Sequence, residues 1–173
     1  MATGTRQGKI IVGVDGSDAS IEALRQAHRL ASALGAKVEA WACWDFPAGH
    51  EAYEMMGRDG FSHQASEILH DAMGKAFGPE LPSNVRTRLV LGAARQSLID
   101  ASRFASLLVV GRRGHGGFNG LLLGSVSSAC VAHAHCPVLV VHAPEANEHA
   151  EPRSGFTGAA TQKQQLIKGA QSR

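Results

Sequence analysis

Three observations predict an α/β fold, a sandwich built on a parallel sheet of about five strands. First, short and almost wholly apolar runs recur at Lys9 to Val14, Lys37 to Trp44, Val85 to Leu91, Leu107 to Val110 and Pro137 to Val141. Strands buried on both faces read in this way, whereas half-exposed strands alternate. Second, stretches with apolar residues at helical spacing separate these runs. Third, hydrophobic residues make up 44% of the 173 while aromatics are only 5%, which suits tight packing of Ala, Val, Leu and Gly.

The elements follow in order. Lys9 to Val14 is rich in β-branched residues and is broken by Asp15-Gly16-Ser17-Asp18. Ile21, Leu24, Ala27, Ala31 and Leu34 then mark a helix, with Ser17 or Asp18 to cap its start and Gly35 its end. After the second strand, Asp45 to Gly60 holds Pro47, Gly49, Gly57 and Gly60 and reads as a long connection, helical at most in part. Ser62 to Phe77 is expected to be a second helix, with Ile68, Leu69, Ala72 and Ala76 on one face. Pro79 and Pro82 punctuate the turn into the third strand, and Gly92 turns the chain into a helix from about Arg95 to Phe104. A last helix is expected from Ser125 to about His133.

One domain with a short appendage fits this length. Residues 1–8 read as a flexible start and 9–143 as the domain. In the remainder, 144–173, only Phe156, Leu166 and Ile167 are large and apolar. Such a segment buries too little to offset its own ordering, so it is expected to be disordered, with at most a short helix near Gln162 to Lys168.

Composition also excludes classes. With 17 basic and 15 acidic residues the net charge is +2 and no Lys/Arg stripe forms, so nucleic-acid binding gains no support. No apolar stretch reaches the roughly 20 residues a membrane helix needs. Met1 to Gly8 has no apolar segment of signal-peptide type, giving a cytoplasmic expectation. Cys43, Cys130 and Cys136 form no C-x-x-C pair and are expected as small buried hydrophobes. His133, His135 and Cys136 straddle a helix end and a strand start without further ligands, so no metal site is assigned.

The most specific signal is Gly111-x2-Gly114-x9-Gly124-Ser125, directly after the strand Leu107 to Val110. Gly111 and Gly114 would let backbone N–H groups approach a ligand with no Cβ in the way. Gly124-Ser125 opens a helix, whose free N–H groups and positive dipole end favour an anion. The Ser125 hydroxyl would cap that helix or bond a phosphate oxygen. In open α/β sheets ligands bind beyond the carboxyl ends of strands, where strand order reverses. If the first and fourth strands meet there, Asp15-Gly16-Ser17 faces the glycine loop across one crevice.

These residues resemble the universal stress protein family, in its ATP-binding subgroup. The resemblance rests on Ile10 to Ser17, on Gly92-Ala93-Ala94, on Val109 to Ser127 and on Cys136 to Val141. It implies a three-layer sandwich with a five-stranded parallel sheet in the order 3-2-1-4-5, adenine nucleotide alpha hydrolase-like. It further implies that Asp15 contacts adenosine, that Gly13, Cys43 and Val110 lie about the base, and that Gly111, Gly114, Gly124, Ser125 and Val126 hold phosphates through backbone amides. Arg112, Arg113 and His115 would add charge to a triphosphate or point to solvent. The implied cofactor is ATP, with or without Mg²⁺. The implied assembly is a homodimer through the fifth strand, Val138, Leu139, Val140 and Val141. Ala94 stands where many relatives have Pro, and Ser106 where many have Asp.

The resulting expectation is a stress-response protein acting by nucleotide-dependent binding and signalling. No general base is paired with a nucleophile near the loop, so no catalytic residue is assigned. The alternatives are an adenine-nucleotide enzyme with slow ATP hydrolysis or autophosphorylation, and a dimerisation module with an empty site.

Overall fold

Five short strands, all parallel, form the centre of the molecule: β1 (Lys9–Gly13), β2 (Lys37–Trp44), β3 (Val85–Leu91), β4 (Leu107–Gly111) and β5 (Val138–Val141). They lie in the order β3-β2-β1-β4-β5, as the resemblance implies. The computed structural model describes residues 8–45, 50–114 and 122–143. The expectations for 1–7 and for the tail 144–173 lie outside those residues.

The sheet sorts its side chains by the two-residue period of a strand. In β1, Ile10 and Val12 enter one core and Ile11 the other. In β4, Val109 joins the first core and Leu108 and Val110 the second. Helices α1 (Asp18–Leu34) and α2 (His50–Phe77) cover the first face, while α3 (Ala94–Ala101) and α4 (Ser125–His133) cover the second. Because both faces are covered, the inner residues of the two central strands, Ile10 to Val12 and Leu108 to Val110, are all apolar and buried.

The α1 boundaries follow from local chemistry. The Ser17 hydroxyl accepts from the Ser20 N–H at 3.3 Å, and Gly35 closes the helix at φ 63° with its N–H on the Ala31 carbonyl. Ala23, Leu24, Ala27 and Ala31 are wholly buried, so small residues let α1 seat closely on the sheet.

Three expectations are corrected. The connection at 45–60 is largely helix, because α2 begins at His50. Gly57 and Gly60 read as breakers, yet a glycine in a helix interior costs only about 1 kcal/mol, and no proline follows Pro47 until the helix has ended. The stripe of α2 is Ala65, Leu69, Ala72 and Met73, and Ile68 lies outside it, as Leu34 does at the end of α1. The third helix stops at Ala101, and a 3₁₀ turn, Ser102–Phe104, completes the span. The buried Ser102 hydroxyl explains that turn, since it donates to the Ile99 carbonyl at 2.5 Å and accepts from the His135 N–H at 2.8 Å. Among the described residues no helix is long and apolar enough to cross a membrane.

Leu69 is 4% exposed and Ile68 36%, although they are neighbours of equal hydrophobicity. Leu69→Ala is expected to lower the unfolding free energy by about 2–5 kcal/mol, and Ile68→Ala by under about 1 kcal/mol. Urea unfolding of the two variants checks the difference.

Candidate functional site

The reversal of strand order falls between β1 and β4, which pair with Ile10 opposite Leu107 and Val12 opposite Val109. Beyond their carboxyl ends opens a cleft of about 390 Å³, within the range of small-molecule sites. Of the expected site residues, Gly13, Asp15, Cys43, Val110, Gly111, Gly114, Gly124, Ser125 and Val126 all line it. His115 lies outside the described residues.

The first wall is the turn after β1. Gly16 sits at φ 83°, a conformation that favours glycine. It lets the Asp15 Oδ1 accept from the Ser17 N–H at 3.1 Å and from the Ser17 hydroxyl at 2.6 Å. The other carboxylate oxygen of Asp15 lies against Gly114, so close that a Cβ on Gly114 would overlap it. The Ser17 Oγ also lies 3.4 Å from the Arg113 carbonyl oxygen. The two turns, almost a hundred residues apart in the chain, are therefore in direct contact.

The second wall is the start of α4. Gly124 is the N-cap, with extended backbone at φ −69° and ψ 164° and no side-chain hydrogen bond. Ser125 is thus the first helical residue and not the cap. The first-turn residues Ser125, Val126 and Ser127 line the cleft with no side chain capping the helix start, the arrangement that favours an anion. The Ser127 hydroxyl donates to the Gly111 carbonyl at 2.5 Å and fixes this turn to the end of β4.

Two details of the motif go beyond its glycine spacing. Gly111 is required by packing, because a Cβ there would sit 2.9 Å from the Ala19 carbonyl carbon and 3.0 Å from the Ser20 nitrogen. Arg112 does not line the cleft: its Nε donates to the Leu122 carbonyl at 2.7 Å, and an Nη lies 3.4 Å from the His142 Nδ1. Arg113 lines the cleft instead, and its Nε is buried with no hydrogen-bond partner among the described residues.

The universal stress protein family model matches residues 7–142. The chain belongs to the universal stress protein family. It is 34% identical over 152 residues to Universal stress protein Rv2623 of Mycobacterium tuberculosis, covering 82% of this chain and 50% of that protein. The chain thus spans about half the length of that relative. It is similar to the solved universal stress protein UspA from Lactobacillus plantarum, at a TM-score of 0.66 and 26% identity over 79% of this chain and 99% of that one. A crystal structure of a universal stress protein in complex with cAMP is 30% identical, at a TM-score of 0.51 over 79% of this chain and 97% of that one.

Within this member of the family, Trp41, Leu98 and Ser127, to which the sequence reading gives no role, also line the cleft, and so does Ala94, which that reading places away from any ligand. Trp41 is oriented by its indole N–H, which donates to Glu39 at 3.1 Å, and by Arg88, whose guanidinium stands 5.0 Å from the ring centroid. Leu98 closes over Gly13, where a Cβ would lie 2.8 Å from its Cδ1. Only spacing on α3 and the pairing of Trp41 with Gly13 could have found them.

The thiols lie in the core on the α3 and α4 face. Burial, with Cys43 and Cys136 nearby, pushes the Cys130 thiol up to about 11, and burial also raises Cys43 and Cys136. All three thus remain protonated at neutral pH. Cys130 is the fully buried hydrophobe expected, while Cys43 and Cys136 are half-buried. Among the described residues no three His, Cys, Asp or Glu side chains group as a metal site.

Gly111→Ala is expected to lower stability by about 1–3 kcal/mol through overpacking against α1. Gly124→Ala, whose Cβ would meet nothing nearer than 3.5 Å, is expected to cost under about 1 kcal/mol. Denaturant unfolding distinguishes them.

Proposed function

We propose that the cleft binds an adenine nucleotide, ATP first among them, and that the protein serves in stress response through nucleotide-dependent binding. The observation that carries this reading is one cleft with two unlike ends. Gly13, Cys43, Val110, Trp41 and Leu98 form an apolar end suited to a base, with Asp15 beside it as an acceptor for ribose or amino groups. Ser125 and Val126 bring backbone amides of the α4 N-terminus to the other end, with Gly114 and Gly124 beside them, a lining suited to phosphates. The buried Arg113 Nε, without a hydrogen-bond partner among the described residues, supports the same assignment, because a phosphate oxygen would satisfy it with a charge-assisted bond. The solved relative in complex with cAMP supports an adenine nucleotide as the ligand class.

Denaturing the purified protein is expected to release adenine nucleotide, and ATP is expected to raise the melting temperature of stripped protein. A hundredfold excess over Kd corresponds to about 2.7 kcal/mol of stabilisation. Asp15→Ala should weaken ATP binding about tenfold or more. Absence of both released nucleotide and a thermal shift would refute the reading.

We also propose that two copies pair through β5. This strand ends the sheet, and an open edge invites pairing. The Pro137 and Val141 carbonyls accept from Leu108 of β4 and from Arg112 just past its end. By strand alternation, the N–H groups of Val138 and Val140 point outward. Leu139 and Val141 pack into the α1 core, so charging them would test folding more than association. Val140→Pro removes an outward donor and spares the inner ladder. It is expected to convert a dimer to a monomer by sedimentation, with unchanged circular dichroism; a persistent dimer would place the interface elsewhere.

A further inference from the structure

Arg112 makes more connections than any sequence motif required of it. Its N–H donates to the Val141 carbonyl at 2.6 Å, which ties the end of β4 to the end of β5. Its carbonyl accepts from the Gly124 N–H at 2.8 Å, at the N-cap of α4. Its Nε donates to the Leu122 carbonyl at 2.7 Å, two residues before that cap. One Nη stands 3.4 Å from the His142 Nδ1, just past β5. One residue thus spans from the first glycine of the motif to its last, at both main-chain and side-chain level.

We infer that Arg112 is a positioning residue, which fixes the start of α4 and so aims its amides into the cleft without touching the ligand. The physical need is clear. Gly124 has no side chain to hold it, and α4 is only nine residues long. A helix start without a side-chain cap depends on outside bonds for its place. The bonds to Leu122 and Gly124 supply them from the rigid end of β4. The inference rests on the nucleotide reading for its consequence, but the geometry stands without it.

The test uses the atom that makes the bond. Gln carries its amide nitrogen at the same number of bonds from Cα as the Arg Nε, so Arg112→Gln keeps a donor for the Leu122 carbonyl and loses the charge. Arg112→Lys keeps the charge and has carbon at that position. If Arg112 positions α4, calorimetric titration should find ATP affinity within about threefold of wild type for Arg112→Gln and about tenfold weaker for Arg112→Lys. A residue contacting phosphate directly gives the opposite order, since its charge is then what matters. That order, or equal affinities in the two variants, overturns the inference. Nucleotide-free protein gives an independent reading: amide hydrogen exchange at Gly124 should quicken about tenfold in Arg112→Lys and stay near wild type in Arg112→Gln. Failure of wild type to bind any nucleotide overturns the functional reading alone, while unchanged exchange in Arg112→Lys overturns the positioning role.

Discussion

β1 and β4 run side by side in parallel although almost a hundred residues separate them, and the site depends on that adjacency. Parallel neighbours carry their carboxyl ends to the same edge of the sheet. The Asp15 turn and the Gly114 turn therefore emerge together, and the Asp15 carboxylate comes to rest against Gly114. The helices that continue the two strands diverge to opposite faces, which leaves a crevice between them. Every other feature of the cleft, from Cys43 on β2 to Ser125 on α4, is placed relative to this contact.

The glycines of the motif divide their labour. Gly111 admits the first turn of α1, and Gly114 admits a carboxylate from the opposite wall. Gly124 packs at ordinary contact distance on Arg112, Arg113 and Gly114, and its N–H bonds the Arg112 carbonyl. A pattern that reads as a flexible phosphate loop is thus in large part a packing device that brings two walls together. The adjacent arginines divide similarly. Arg112 turns away to bond the chain beside α4, while Arg113 turns inward with a buried nitrogen that has no partner among the described residues.

Much of the fold was legible because both sheet faces are covered. Each of the five apolar runs became a strand, and the caps Ser17 and Gly35 lie where their chemistry requires. Gly57 and Gly60 hide the start of α2 from a sequence reading, because helix propensity yields to context. The face of α2 was misplaced by one residue at Ile68, since apolarity alone does not say which stripe meets the sheet. In the site, nine of the expected residues line the cleft, because the motif and the turn after β1 are local in sequence. Trp41 and Leu98 went unread because nothing nearby in sequence ties them to the loop.

By itself, the sequence determined the sequence of strands and helices, the turn chemistry at Asp15-Gly16-Ser17 and the glycine spacing of the second wall. All of these are set by residues within a few positions of one another. The tertiary structure alone decided which side chains meet across the cleft. It brought Leu98 over Gly13, turned Arg112 outward and Arg113 inward, and gave Gly111 to helix packing. These outcomes depend on which strands become neighbours and how closely the helices seat on them, a property of the whole sheet and not of any segment.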